Sequence, residues 1–87
     1  MSKYTDDYVE DFRKDLKKIK AHFDLRKRLE SKIDEILRNP HHYKSLRNVL
    51  KNKRRAHIGS YVLVFEIDET QKVITFHSLM HHDGAYK

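Results

Sequence analysis

The sequence predicts an α+β domain in which two N-terminal helices pack on a small antiparallel sheet. Apolar residues recur at helical spacing through residue 37, and after residue 53 the period changes to two. A proline at position 40 separates the two regimes. With 87 residues the chain has material for one domain, spanning 1–87, near the lower size at which a single apolar core holds a fold without metals or disulfides.

Tyr8, Phe12, Leu16, Ile19 and Phe23 form the first apolar stripe, with Lys14, Lys17, Lys18 and Lys20 between them, so residues 7–21 read as an amphipathic helix. Asp6 or Asp7 is placed to cap its start. A second stripe, Leu25, Leu29, Ile33, Ile36 and Leu37, begins after Asp24 and stops at Asn39-Pro40, because proline steers the preceding residue out of helical geometry. Together they form a helical hairpin. Pro40 to Lys53 reads as a polar loop tacked down by a few apolar residues, and Lys3–Thr5 is a candidate for a short first strand beside the sheet.

The segment RRAHIGSYVLVFEID alternates with period two around Gly59-Ser60, a two-residue turn that closes a β-hairpin. That turn sets Ile58 opposite Tyr61, His57 opposite Val62, Ala56 opposite Leu63 and Arg55 opposite Val64. Ala56, Ile58, Tyr61, Leu63, Phe65 and Ile67 then share an apolar face that receives the helices. Arg55, His57, Val62, Val64 and Glu66 share the other. KVITFHSLM supplies a third strand after the polar turn at 68–71. With Glu69-Thr70 as the tip of that turn, Val62 pairs with His77, Ile74 and Phe76 join the core face, and His77 falls in line with His57.

Nineteen Lys and Arg against thirteen Asp and Glu give a net charge of +6, with seven histidines able to add charge beside a polyanion. This balance favours nucleic acid or an acidic protein as partner, the alternative being that charge simply coats a small helical surface. The lack of cysteine excludes disulfides and thiolate zinc sites and fits a reducing cytoplasm. The start, MSKYTDDYVEDF, carries no apolar run of signal-peptide type, and no stretch approaches the roughly 20 apolar residues of a membrane span. A cytoplasmic protein without a membrane partner is expected.

KDLKKI in the first helix, the Leu46-Arg47 dipeptide, the hairpin signature from Arg54 through Phe65 and a C-terminal H-x-x-x-Y together resemble the RelE/ParE toxin superfamily over nearly the whole chain. The resemblance implies the RelE/ParE-like microbial ribonuclease fold and a ribosome-dependent mRNA endonuclease that needs no cofactor. It also implies a cognate acidic, RelB-like antitoxin that wraps and neutralises the toxin. Basic family positions before the glycine turn are matched by Arg55 and, with histidine substituting, by His57. Arg47 and the terminal aromatic Tyr86 are kept. Two positions depart from the RelE pattern: the arginine after the hairpin tyrosine is Val62, and the arginine before the terminal tyrosine corresponds to His82 or its neighbour. Both departures are similar to the YafQ-like branch, whose hairpin histidine and C-terminal histidine act in acid-base chemistry, here His57 and His82. The gyrase-directed ParE branch, which shares the fold but not this nuclease set, is the nearest alternative. A nucleic-acid-binding module with structural histidines is another.

Cleavage of RNA by its own 2′-OH needs a base for the hydroxyl proton, an acid for the departing 5′ oxygen and cations around the phosphate, which two histidines and an arginine supply without metal. The expected catalytic set is His82, His57, Arg55 and Tyr86, with Tyr86 stacking on or orienting a base; their plain alternatives are exposed histidines and a tyrosine packed at the sheet edge. Arg47, Lys51, Lys53, Arg54 and His81 are expected RNA contacts, with the KNKRRAH run at 51–57 a phosphate track or a solvated loop. Arg54 alternates onto the core-side face, away from Arg55. Histidine pairs at 41–42 and 81–82 raise metal binding, but neighbours in a strand or loop point apart and no cysteine or H-x-x-x-H spacing supports them, so no metal site is expected. His22 and His77 read as packed or solvated.

Overall fold

A computed structural model describes residues 4–45 and 53–81. Its elements run β1 (Thr5–Tyr8), α1 (Glu10–Lys18), α2 (Phe23–Arg38), a short 3₁₀ turn (Pro40–His42), β2 (Lys53–Ile58), β3 (Tyr61–Asp68) and β4 (Val73–His81). They form an α+β fold with one four-stranded sheet in the order β1-β4-β3-β2.

The hairpin follows its predicted register at every pair, from Ile58 opposite Tyr61 to Arg55 opposite Val64. Gly59 makes the turn with φ +58°, a conformation that costs a side-chain-bearing residue. Its lack of a side chain also leaves room for Arg28, whose Nη1 would lie 3.1 Å from an added Cβ.

The second turn differs from expectation. It spans four residues between Asp68 and Val73, held by the Gln71 amide donating to Asp68 Oδ1 at 3.0 Å and by Lys72 at φ +58°. The shift is two residues, which preserves faces in a period-two strand, so Ile74 and Phe76 still enter the core. A β-bulge between Val64 and Phe65 on β3 then sets Phe76 opposite Phe65 and Ser78 opposite Val64, leaving His77 as the extra residue. Val62 consequently faces Met80 rather than His77, and His77 does not line up with His57.

The N-terminus also differs. Residues 5–8 pair in parallel with Val73–Phe76, so the sheet is mixed rather than antiparallel, and the first strand lies later than Lys3–Thr5. Tyr8 therefore belongs to β1 and not to the first helix, yet its ring stacks on Phe12 at 5.5 Å and Phe76 at 5.4 Å, as its place in the apolar stripe requires. Neither Asp6 nor Asp7 caps α1. The residue there is Val9, with no side-chain cap, and Asp7 instead accepts from the Tyr8 amide at 3.0 Å. Glu10 and Asp11 in the first turn and Lys17 and Lys18 in the last complement the helix dipole. The second helix stops at Arg38 before Asn39-Pro40, as predicted.

The helices cover one face of the sheet. Phe12, Ile36, Leu63, Phe65, Ile74 and Phe76 are fully buried there, and Tyr43 closes the core with its ring edge-on to Phe65 at 5.9 Å. The segment after α2 is thus anchored at its start rather than a plain loop. Pro40 is buried, Arg54 donates to the Tyr43 carbonyl at 2.6 Å, and the Arg55 amide donates to the Lys44 carbonyl at 3.1 Å. No helix is long and apolar enough to cross a membrane.

Candidate functional site

Strand alternation gives the sheet a second face, turned away from the helices. Its rows follow from the register: His57, Val62 and Met80; Arg55, Val64 and Ser78; Lys53, Glu66 and Thr75. Arg55 and His57 are two residues apart on β2, His57 exposed and Arg55 half-buried, with Lys53 two residues further on. Three basic side chains of the predicted set therefore share one face. Val62, where a RelE-type arginine is expected, lies beside His57 and is buried to 2% exposure. It therefore brings neither charge nor accessible surface to the middle of the face.

Arg54 and His81 are placed elsewhere. The Arg54 guanidinium lies on the helix side, bonded to the Tyr43 carbonyl, with its second terminal nitrogen 3.4 Å from His41 Nδ1. His81 pairs with Tyr61 and packs edge-on to its ring at 5.5 Å, lining a cleft with Lys14, Asp15 and Lys18 of α1. Asp15 accepts from the Leu79 amide at 2.9 Å, which fixes the β4 edge against α1. Arg47, Lys51, His82 and Tyr86 lie outside the described residues.

Two polar groupings had no signal in the sequence. On the open face the bulge turns His77 toward Glu66, and its Nε2 lies 2.9 Å from Glu66 Oε1. Because the bulge sets this pairing, alternation alone could not find it. At the other end of the sheet Glu69 gathers the Tyr4 hydroxyl at 3.0 Å, the Lys72 ammonium at 3.1 Å and the His41 imidazole. The Lys72 hydrogen bond, with those from Tyr4 and His41, holds the Glu69 carboxyl below the usual carboxylate range. Burial and the neighbouring carboxylate raise the Tyr4 hydroxyl in turn. Tyr43, partly buried and donating to Glu35 at 3.1 Å, is pushed up to about 12. Among the described residues no group of three or more His, Asp and Glu is gathered to hold a metal ion.

A strand that sets exposed His57 and half-buried Arg55 and Lys53 on one face suits an anionic, single-stranded ligand laid across the sheet. Histidine and arginine on neighbouring same-face positions can move a proton and hold a phosphate at one point. Residues 7–86 match the family of the ParE toxin of the type II toxin-antitoxin system parDE. A Methanocaldococcus jannaschii protein named "Putative toxin RelE4" is 45% identical over 76 residues, covering 86% of this chain and 73% of that protein. The toxin-antitoxin complex RelBE2 of Mycobacterium tuberculosis contains a chain matching at TM-score 0.77 and 26% identity, over 90% of this chain and 96% of that one. A chain of the E. coli DinJ-YafQ complex shares the fold at TM-score 0.80 and 17% identity, over 98% of this chain and 100% of that one. With its helical hairpin on a mixed sheet and its match along nearly the full length, the chain belongs to the RelE/ParE superfamily and is a toxin of the type II toxin-antitoxin class.

Proposed function

We propose that this toxin is a metal-independent endoribonuclease that cuts mRNA in the decoding site of the translating ribosome, in the cytoplasm. The observation that carries the proposal is the placement of Arg55 and His57 on one open face of β2, with Lys53 in the same row of alternate residues. In the reaction the 2′ oxygen attacks the adjacent phosphorus, the bond to the 5′ oxygen breaks, and a 2′,3′-cyclic phosphate and a 5′-hydroxyl result. His57 and His82 share the proton transfers, one taking the 2′-hydroxyl proton and the other protonating the leaving oxygen, while Arg55 balances the charge growing on the phosphate. Tyr86 orients the base. Lys53, Arg47, Lys51 and His81 serve as RNA contacts. A small domain with few loops to grip a substrate gains from a ribosome that holds the mRNA in attack geometry.

The partner proposed to silence it is an antitoxin, as the RelBE2 toxin-antitoxin assembly supports, and the net charge of +6 favours an acidic one. Its amphipathic segments would cover apolar surface and occlude the open face. Mapping 5′ ends of mRNA on programmed ribosomes tests the nuclease, with discrete cuts at the ribosomal A site expected. The match to the ParE family favours a second reading, a gyrase-directed inhibitor without nuclease activity. Loss of DNA supercoiling by purified gyrase, with mRNA left intact, would select that reading instead.

A further inference from the structure

The second helix opens with a phenylalanine that the core does not use. Helical spacing from Tyr8 to Phe23 predicts a core position, but α1 stops at Lys18 and the chain turns before α2 starts, so the count begins again. Within α2, six residues separate Phe23 from buried Leu29, roughly 600° of rotation, which carries the ring about 120° off the apolar stripe. Phe23 is consequently 64% exposed. Among the described residues the other large apolar side chain exposed in this way is Met80, at 42%.

The surroundings of the ring mix cationic, polar and apolar side chains. Lys27 Nζ lies 5.1 Å from the ring centroid. A cleft of about 530 Å³ runs from Phe23 to the β2–β3 turn, where its walls include His22, Arg28, Ser60 and Tyr61. Arg28 also lines the adjoining groove, together with Lys27, Lys32 and His57. One surface therefore leads from His57, past the Arg28 guanidinium lying over Gly59, to Phe23. His57 and Gly59 stand two residues apart in the chain, roughly 7 Å of extended strand.

Ala21, Leu25 and Ile58 line the same cleft, so it offers apolar as well as cationic walls. A nucleotide finds both of its needs met, an aromatic face for the base and a guanidinium for its phosphate. We propose that Phe23 is a stacking platform for a base of single-stranded RNA, with Arg28 holding the adjoining phosphate as the strand leaves the His57 face. Lys27 brings a second cation to the same nucleotide. The choice of RNA as the ligand rests on the ribonuclease reading, and the assay below separates the two.

The chain contains no tryptophan, so Phe23→Trp places a single indole reporter at the proposed contact. Titration of that variant with a short oligouridylate should quench its fluorescence, while inorganic polyphosphate of equal charge should not. Phe23→Leu keeps most of the apolar bulk but loses the aromatic face, and should weaken oligonucleotide binding by about 5- to 150-fold. Arg28→Ala should weaken it too and lower the slope of log affinity against log salt by about 0.7. Circular dichroism confirms that each variant is folded. An unresponsive indole, or Phe23→Leu binding as tightly as the parent, overturns the platform, the latter marking a plain apolar contact for a protein partner. Quenching by RNA in a protein that cuts no mRNA would sink the ribonuclease reading and leave the platform standing; cutting without quenching would do the reverse.

Discussion

Arg54 and Arg55 look alike in the sequence, and the fold sends them to opposite faces. Alternation alone makes that division, but not what each meets: Arg54 reaches the Tyr43 carbonyl because a 3₁₀ turn at Pro40–His42 presents it, and no local pattern announced that turn. Arg54→Ala should therefore act on stability, by about 1.5–3 kcal/mol for a charged hydrogen bond to a carbonyl, measured by urea denaturation. Single-turnover cleavage by its folded fraction should stay near the parent rate. Arg55→Ala and His57→Ala should do the opposite, slowing cleavage measurably with little change in the denaturation midpoint. His82→Ala should cost most, about 10²–10⁴-fold, as removal of a positioned acid or base does. His41→Ala should leave the rate unchanged, because that imidazole is engaged with Glu69 at the far end of the sheet. The Glu69 cluster has its own pH signature. Its carboxyl is depressed in the folded state, so its contribution is present above the unfolded pKa near 4.5 and disappears as pH falls through the lower folded value. The difference in melting temperature between the parent and Glu69→Gln should accordingly be largest near neutrality and shrink toward pH 3.

At the level of elements, the glycine hairpin was readable pair by pair, since a two-residue turn leaves one register open to two alternating strands. The β3–β4 register was not. Its turn depends on Lys72 adopting a left-handed conformation, which no residue preference favours, and its bulge depends on which register buries Leu79. β1 was hidden for a different reason: Tyr8 stands four residues from Phe12, a spacing that suits a helix, and the strand itself is polar TDDY with three of its four residues exposed. Gly59→Ala tests the hairpin directly. Left-handed backbone and the Arg28 guanidinium above the turn both oppose a methyl group, and a loss of about 1–2 kcal/mol in urea denaturation is expected.

Across the whole molecule, one aromatic cluster joins the first helix to the sheet. Phe76 lies 5.8 Å from Phe12, 6.1 Å from Phe65 and 5.4 Å from Tyr8, so it links β1, α1, β3 and β4 at a single point. Phe76→Ala should remove about 3–5 kcal/mol, a large share of the roughly 5–15 kcal/mol that a domain commands, and should be visible as loss of cooperative thermal unfolding. The same sheet that carries this core on one side carries Arg55 and His57 on the other. The proposed activity, cleavage of mRNA, is tested most directly by single-turnover cleavage on programmed ribosomes. Cuts confined to the A-site codon, slowed in both Arg55→Ala and His57→Ala while those proteins remain folded, are the predicted result. Intact mRNA with the parent protein, or full-speed cutting by both variants, would contradict it.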